Sequence, residues 1–171
     1  MYSHAARRAP PRSLAVAIAL AAAAALGVAY AAEVWGGLIP CALCLLERWP
    51  YRITVVLGLV AAIAPRGLVK PLLVAAILCV LADAAIAAVH VGVELQWWPS
   101  PLPECAAPHF SGGSIADRLA TMPARPSKPC DEPTYPIPGV PLSIAALNML
   151  FALVLSAGSA ILLGQRRSRR R

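Results

Sequence analysis

Charge is scarce in this sequence. Only 13% of its 171 residues are Asp, Glu, Lys or Arg, while 59% are hydrophobic and mean hydropathy is +0.68. Water-soluble domains draw about a quarter of their residues from the charged types, so an ordinary soluble fold is excluded. No internal repeat is visible. The length suits one compact domain, and the balance points to a small protein that crosses a membrane several times. The formal net charge of +7 tempts a nucleic-acid reading, but the placement of the charges argues against it.

What the chain has instead is four long apolar stretches: Leu14–Ala32, Cys44–Ala64, 72–90 and Leu142–Leu163. The first has no charge over 19 residues. At 1.5 Å rise per residue it would reach about 28 Å, close to the thickness of a bilayer's hydrocarbon core. The second carries Glu47, Arg48 and Arg52 in its first half, and the third is interrupted by Asp83. Bare backbone cannot face lipid, so each stretch is expected to be a helix. Abundant Ala, Gly and Ser would let the helices approach closely. The expected fold is all-α, a single domain over residues 1–171: a membrane four-helix bundle with a long irregular loop over about 94–141.

Ten of the fifteen basic residues lie in the N-terminal tail, in the second-to-third connection (Arg66, Lys70) and in the Arg-rich C-terminal tail, with no acid among them. The positive-inside rule then places both termini in the cytoplasm. The stretch before Cys41 and the long loop face outward. Arg7 and Arg8, the apolar run and Ala29-Tyr30-Ala31 resemble a cleavable secretory signal, but the run exceeds the usual signal core, and the first helix is expected to be retained.

Five cysteines occur. Cys79 falls inside the third stretch and reads as a small buried hydrophobe. Cys41, Cys44, Cys105 and Cys130 all fall on the side that the charges mark as external, where thiols in a bacterial envelope pair rather than stay reduced. Cys41-Ala42-Leu43-Cys44 is a C-x-x-C unit at a helix start. Such a unit closes a small reducible ring, and a helix N-terminus favours the thiolate. Arg48, four residues after Cys44, shares its helix face and could steady a thiolate or hold a carbonyl beside it. Cys105 and Cys130 lie in a Pro-rich loop, which suggests an exposed, mobile disulfide suited to exchange. His90 sits at the outer end of the third stretch, and Trp97-Trp98 reads as an interfacial anchor. Zinc would have to use Cys41, Cys44, Cys105, His109 and Cys130. Only one close-spaced pair is present where structural zinc sites show two, so no metal is expected.

These residues together resemble the DsbB family of membrane disulfide-forming proteins. The resemblance rests on Pro40-Cys41-Ala42-Leu43-Cys44 followed by Glu47-Arg48, on the outer Cys105 and Cys130, on His90-Val91-Gly92-Val93-Glu94 with Trp97-Trp98-Pro99, and on the order of the four spans. It implies a protein-dithiol:quinone oxidoreductase of the bacterial inner membrane. A thioredoxin-fold oxidant of the DsbA type would attack a Cys105–Cys130 disulfide at Cys105. Cys41–Cys44 would reoxidise that pair, and Cys44 would pass electrons to a ubiquinone-type quinone with Arg48 and His90 as contacts. The expected partners are that oxidant and membrane lipid, not nucleic acid. The competing reading is a non-catalytic membrane scaffold with structural disulfides.

Overall fold

The computed structural model describes residues 11–105, 114–116, 128–137 and 139–168. His109 and the Gly112-Gly113 segment lie outside the described residues. The fold is all-helical in its regular structure: α1 Pro11–Val34, α2 Ala42–Ile63, α3 Arg66–Glu94 and α4 Ile144–Ser168, with one 3-10 turn at Pro103–Cys105. No strand occurs among the described residues; a single parallel bridge joins Cys41 to Lys128.

Each helix starts where local chemistry allows. Pro11 opens α1, the position where a missing N–H costs nothing and a fixed φ helps. Cys41 caps α2, its Sγ accepting from Cys44 N at 3.2 Å. Ser143 caps α4 by accepting from Ala146 N at 3.1 Å and donates its hydroxyl to Glu94 Oε2. α3 ends when Gln96 turns into the left-handed region at φ 58°.

Three helices, α1, α3 and α4, are long and apolar enough to cross a membrane. α2 matches them in length with 22 residues, but Glu47, Arg48 and Arg52 interrupt its apolar run. The helices overrun the expected stretches, most clearly α3, which begins at Arg66 rather than near 72 and reaches Glu94. Hydropathy marks the segment inside hydrocarbon. The backbone still gains from intrahelical hydrogen bonds in the interface beyond it. At 29 residues α3 is about 44 Å long, more than the hydrocarbon core of a bilayer needs.

α2 packs against α1 and α3, and α3 against α4. The α1–α2 crossing is tight because Gly58 meets Ala15 and Ala19. A Cβ at Gly58 would lie 2.8 Å from Ala19 Cβ and 2.9 Å from Ala15 O. Small residues at such crossings let backbones approach. One buried cluster joins Leu14, Ala15 and Ile18 of α1 to Ala61 of α2 and Val69, Leu73 and Ala76 of α3. A second joins Val80 and Ala84 to Ala152 of α4. A third contains the cysteines. Leu20, Val28, Ile63 and Val154 point away from the bundle and are exposed, as side chains facing lipid would be.

Candidate active site

The short Trp35–Pro40 connection delivers Cys41 to the first turn of α2, and the helical repeat places Cys44 one turn on. Cys41 Sγ and Cys44 Sγ are 2.7 Å apart, both as free thiols. The hydrogen bond from the Cys44 thiol holds the Cys41 thiol below the usual thiol range, against burial, which acts the other way. An anionic sulfur at Cys41 would therefore be stabilised by its own partner.

Cys105 and Cys130 form a disulfide with Cα atoms 4.9 Å apart. The chain around it is pinned by Cys130 N donating to Cys105 O at 3.2 Å and by the bridge from Cys41 to Lys128. The sequence suggested an exposed pair. The structure corrects this: Cys105 is 3% exposed and Cys130 1%. The Pro-rich loop has no core of its own, but it borrows one. Its disulfide packs into a cluster with Leu43 of α2, Val93 of α3, Leu102 and Cys41. The overrun of α3 past His90 supplies Val93. Both sulfur couples thus belong to one packed group at the end of the bundle. Cys79 lies apart in α3 as a half-buried free thiol.

Arg48 is buried at 7% exposure. Its Nη1 donates to Glu33 Oε2 of α1 at 2.7 Å, and its guanidinium lies 4.8 Å from the centre of the Tyr30 ring. The expected helix-face relation to Cys44 holds along α2, but the hydrogen-bonding partner is a carboxylate on α1. Arg48 Nε is buried with no acceptor. His90, 2% exposed, comes within 3.4 Å of Cys41 Sγ through Nε2 and within 2.8 Å of Glu47 Oε1 through Nδ1. It therefore neighbours Cys41 directly.

A cavity of about 450 Å³ opens beside these groups, within the size range of small-molecule sites. Ala25 and Ala29 of α1, Pro40, and Leu147 and Phe151 of α4 form apolar walls. Cys44, Glu47, Arg48 and His90 are polar members of the lining, which also includes Glu33, Glu94, Lys128 and Asn148. An apolar ring carrying carbonyl oxygens fits this lining: the walls match its faces, and Arg48 Nε is a buried donor still without an acceptor. Cys41, Cys44 and His90 also gather donor atoms within 4.8 Å of one another. Cys105 and Cys130 are bonded to each other and offer no thiolates.

Three polar residues were not anticipated as partners. Glu47 grips His90; Asn148 of α4 donates to Glu47 Oε2 at 3.0 Å; Tyr51 donates to Asn148 Oδ1 at 2.8 Å. Their signal in the sequence is periodic. Glu47, Tyr51 and Thr54 fall at helical spacing along α2, as Asp83 and His90 do along α3, so each set shares one face.

Comparison with known families gives one finding: residues 11–162 match the family described as disulfide bond formation protein DsbB. No curated protein matches the chain, and no solved structure does.

Proposed function

The chain belongs to the DsbB family, whose members take part in disulfide bond formation in the membrane, and on that footing we propose that it is a protein-dithiol:quinone oxidoreductase. It reoxidises a DsbA-type thioredoxin-fold oxidant outside the bacterial inner membrane and delivers the electrons to a quinone of the ubiquinone type. Both termini lie in the cytoplasm and the four reactive cysteines on the periplasmic side. The observation that carries this reading is the single buried cluster holding both cysteine couples, with Cys44 and Arg48 in the lining of an apolar cavity.

Electrons and protons balance in two exchanges and one delivery. The partner's dithiol reduces the Cys105–Cys130 disulfide, and its own sulfurs become a disulfide. The loop dithiol then reduces a Cys41–Cys44 disulfide and closes again. That exchange leaves Cys105–Cys130 closed and Cys41 and Cys44 as thiols. A quinone, when bound, supplies the two-electron acceptor that thiol chemistry lacks. Two electrons and the two thiol protons leave Cys41 and Cys44 as their disulfide re-forms. Arg48 would offer its free Nε–H to a ring oxygen, His90 lies at the same lining, and the Ala and Phe walls would face the apolar ring. Trp97 and Trp98, stacked edge to face at 5.8 Å and both exposed, anchor the outer end of α3 at the lipid interface.

The burial of Cys105–Cys130 favours one other reading, a scaffold whose disulfide only staples its outer loop. Quinol formation by the purified protein with a reduced DsbA-type partner separates the two. The enzyme turns over, stops with Cys44→Ser, and keeps its helical content in that variant. Absence of partner-dependent quinol formation in the unaltered protein would overturn the proposal.

A further inference from the structure

Behind the sulfurs a line of polar side chains runs between α2, α3 and α4, and the exchanges above use only its outer end. Cys41 Sγ meets His90 Nε2 at 3.4 Å, and His90 Nδ1 meets Glu47 Oε1 at 2.8 Å. Asn148 Nδ2 donates to Glu47 Oε2 at 3.0 Å and to Asp83 Oδ2 at 3.2 Å. The Tyr51 hydroxyl donates to Asn148 Oδ1 at 2.8 Å. Both amide hydrogens and the amide oxygen of Asn148 are therefore engaged, which fixes the side chain. Asp83 is fully buried, and its Oδ1 has no hydrogen-bond partner. A carboxyl group is expensive inside an apolar bundle and marks function by default.

We propose that Cys41 is the nucleophile, His90 its base and Glu47 the carboxylate that orients the base, and that Asp83, working through Asn148, is a positioning residue that makes His90 a better proton acceptor. The inference rests on the thiol:quinone reading only for the use made of the thiolate. The geometry has the form such sets require: a nucleophile beside a base, and the base held by a third group. A hydrogen bond from Nδ1–H to Glu47 leaves Nε2 as the acceptor facing Cys41. In the step itself the Cys41 S–H bond breaks, its electron pair stays on sulfur, and an N–H bond forms at His90 Nε2. The imidazolium keeps its Nδ1–H on Glu47. No electron leaves the protein. Asn148 holds Glu47 toward the ring, and Asp83, when ionised, adds negative character at the far end of the line, which favours the positive imidazolium.

The other titratable or charged groups facing this set are Cys44 and Tyr51 on α2, Glu94 on α3 and Lys128 in the outer loop. The Arg48–Glu33 pair of α2 and α1 lines the same cavity. Substitution at Asp83 leaves all of them in place.

The test is the pH profile of iodoacetamide alkylation at Cys41, followed by tandem mass spectrometry on the fully reduced, quinone-free full chain. Asp83→Asn keeps the size of the side chain and removes its charge. The Cys41 profile is expected to move to higher pH by about one unit, and Asn148→Ala to move it the same way. A charge acting on the sulfur alone, with no proton passed to His90, would move it to lower pH, because a negative neighbour of the thiolate is lost. An unchanged or lowered midpoint in Asp83→Asn, in protein whose thermal unfolding shows it folded, would overturn the proposal. Should Asp83→Asn fail to fold, the midpoint in Asn148→Ala decides on the same terms. The readout uses neither quinone nor partner protein, so it can fail while quinone reduction stands, and the reverse.

Discussion

Replacing Gly58 with Ala puts the helix packing to a quantitative test. The new methyl would stand 2.8 Å from Ala19 Cβ and 2.9 Å from Ala15 O. Carbon atoms settle at about 3.5–4.0 Å, so α1 and α2 must part by about 1 Å. Ala15 is fully buried and Ala19 nearly so, and neither can swing aside. Overpacking of this kind costs about 1–3 kcal/mol. For a chain of this size each kcal/mol lowers Tm by roughly 2–4 °C. The function should suffer with the fold, since Ala25 and Ala29 of the displaced helix line the cavity. Thermal unfolding in detergent, followed by thiol exposure, reads the first effect, and titration with a water-soluble ubiquinone analogue reads the second. Gly27→Ala is the control, because nothing lies within 4 Å of a Cβ there. Gly58→Ala with unchanged Tm and unchanged quinone affinity would refute the close α1–α2 crossing.

Arg48→Ala removes a charged donor from the cavity, and hydrogen bonds to charged groups contribute about 1.5–3 kcal/mol. Ubiquinone-analogue affinity should therefore fall about 10- to 100-fold, read by equilibrium titration. The Cys41 thiol is held low mainly by the hydrogen bond from Cys44. That bond stabilises the charged form, so its loss in Cys44→Ala should move the pH midpoint of Cys41 alkylation upward, as mass spectrometry of the alkylated protein would show. At Gly92 a Cβ would collide with the Trp98 ring, whose Nε1 donates to Val89 O at 3.1 Å. Gly92→Ala should expel the indole and red-shift tryptophan emission, while an unshifted spectrum would mean that the ring does not pack there.

The four helices were legible because lipid leaves the backbone no alternative, and an apolar run of bilayer length is hard to mistake. Their ends were not, since the helix continues into the interface after the hydropathy signal stops, and α3 gains Val93 and Glu94 that way. The C-x-x-C unit was readable as a local motif. The contact of Cys41 with His90 joins residues 49 apart, which no local pattern encodes. The burial of Cys105–Cys130 was hidden for a related reason. Loop composition reports that a segment has no core of its own, but not that Leu43 and Val93 of neighbouring helices provide one. Arg48 was readable as a charge on the face of Cys44, while its bond to Glu33 depends on how α1 leans against α2. Asn148 is one amide in an otherwise apolar stretch, and only the folded bundle brings the Glu47 and Asp83 carboxylates to its N–H groups.

Exchange between the two cysteine couples is tested most directly in the double variant Cys44→Ser, Cys105→Ser, which leaves Cys41 and Cys130 unpaired. Cys41 pairs by its backbone with Lys128, two residues from Cys130, and both sulfurs share one buried cluster. Peptide mapping of the oxidised protein without reductant should recover the Cys41 and Cys130 peptides joined by a disulfide, with no cross-linker added. Recovery of both as free thiols, under conditions that close Cys105–Cys130 in the unaltered protein, would contradict the account.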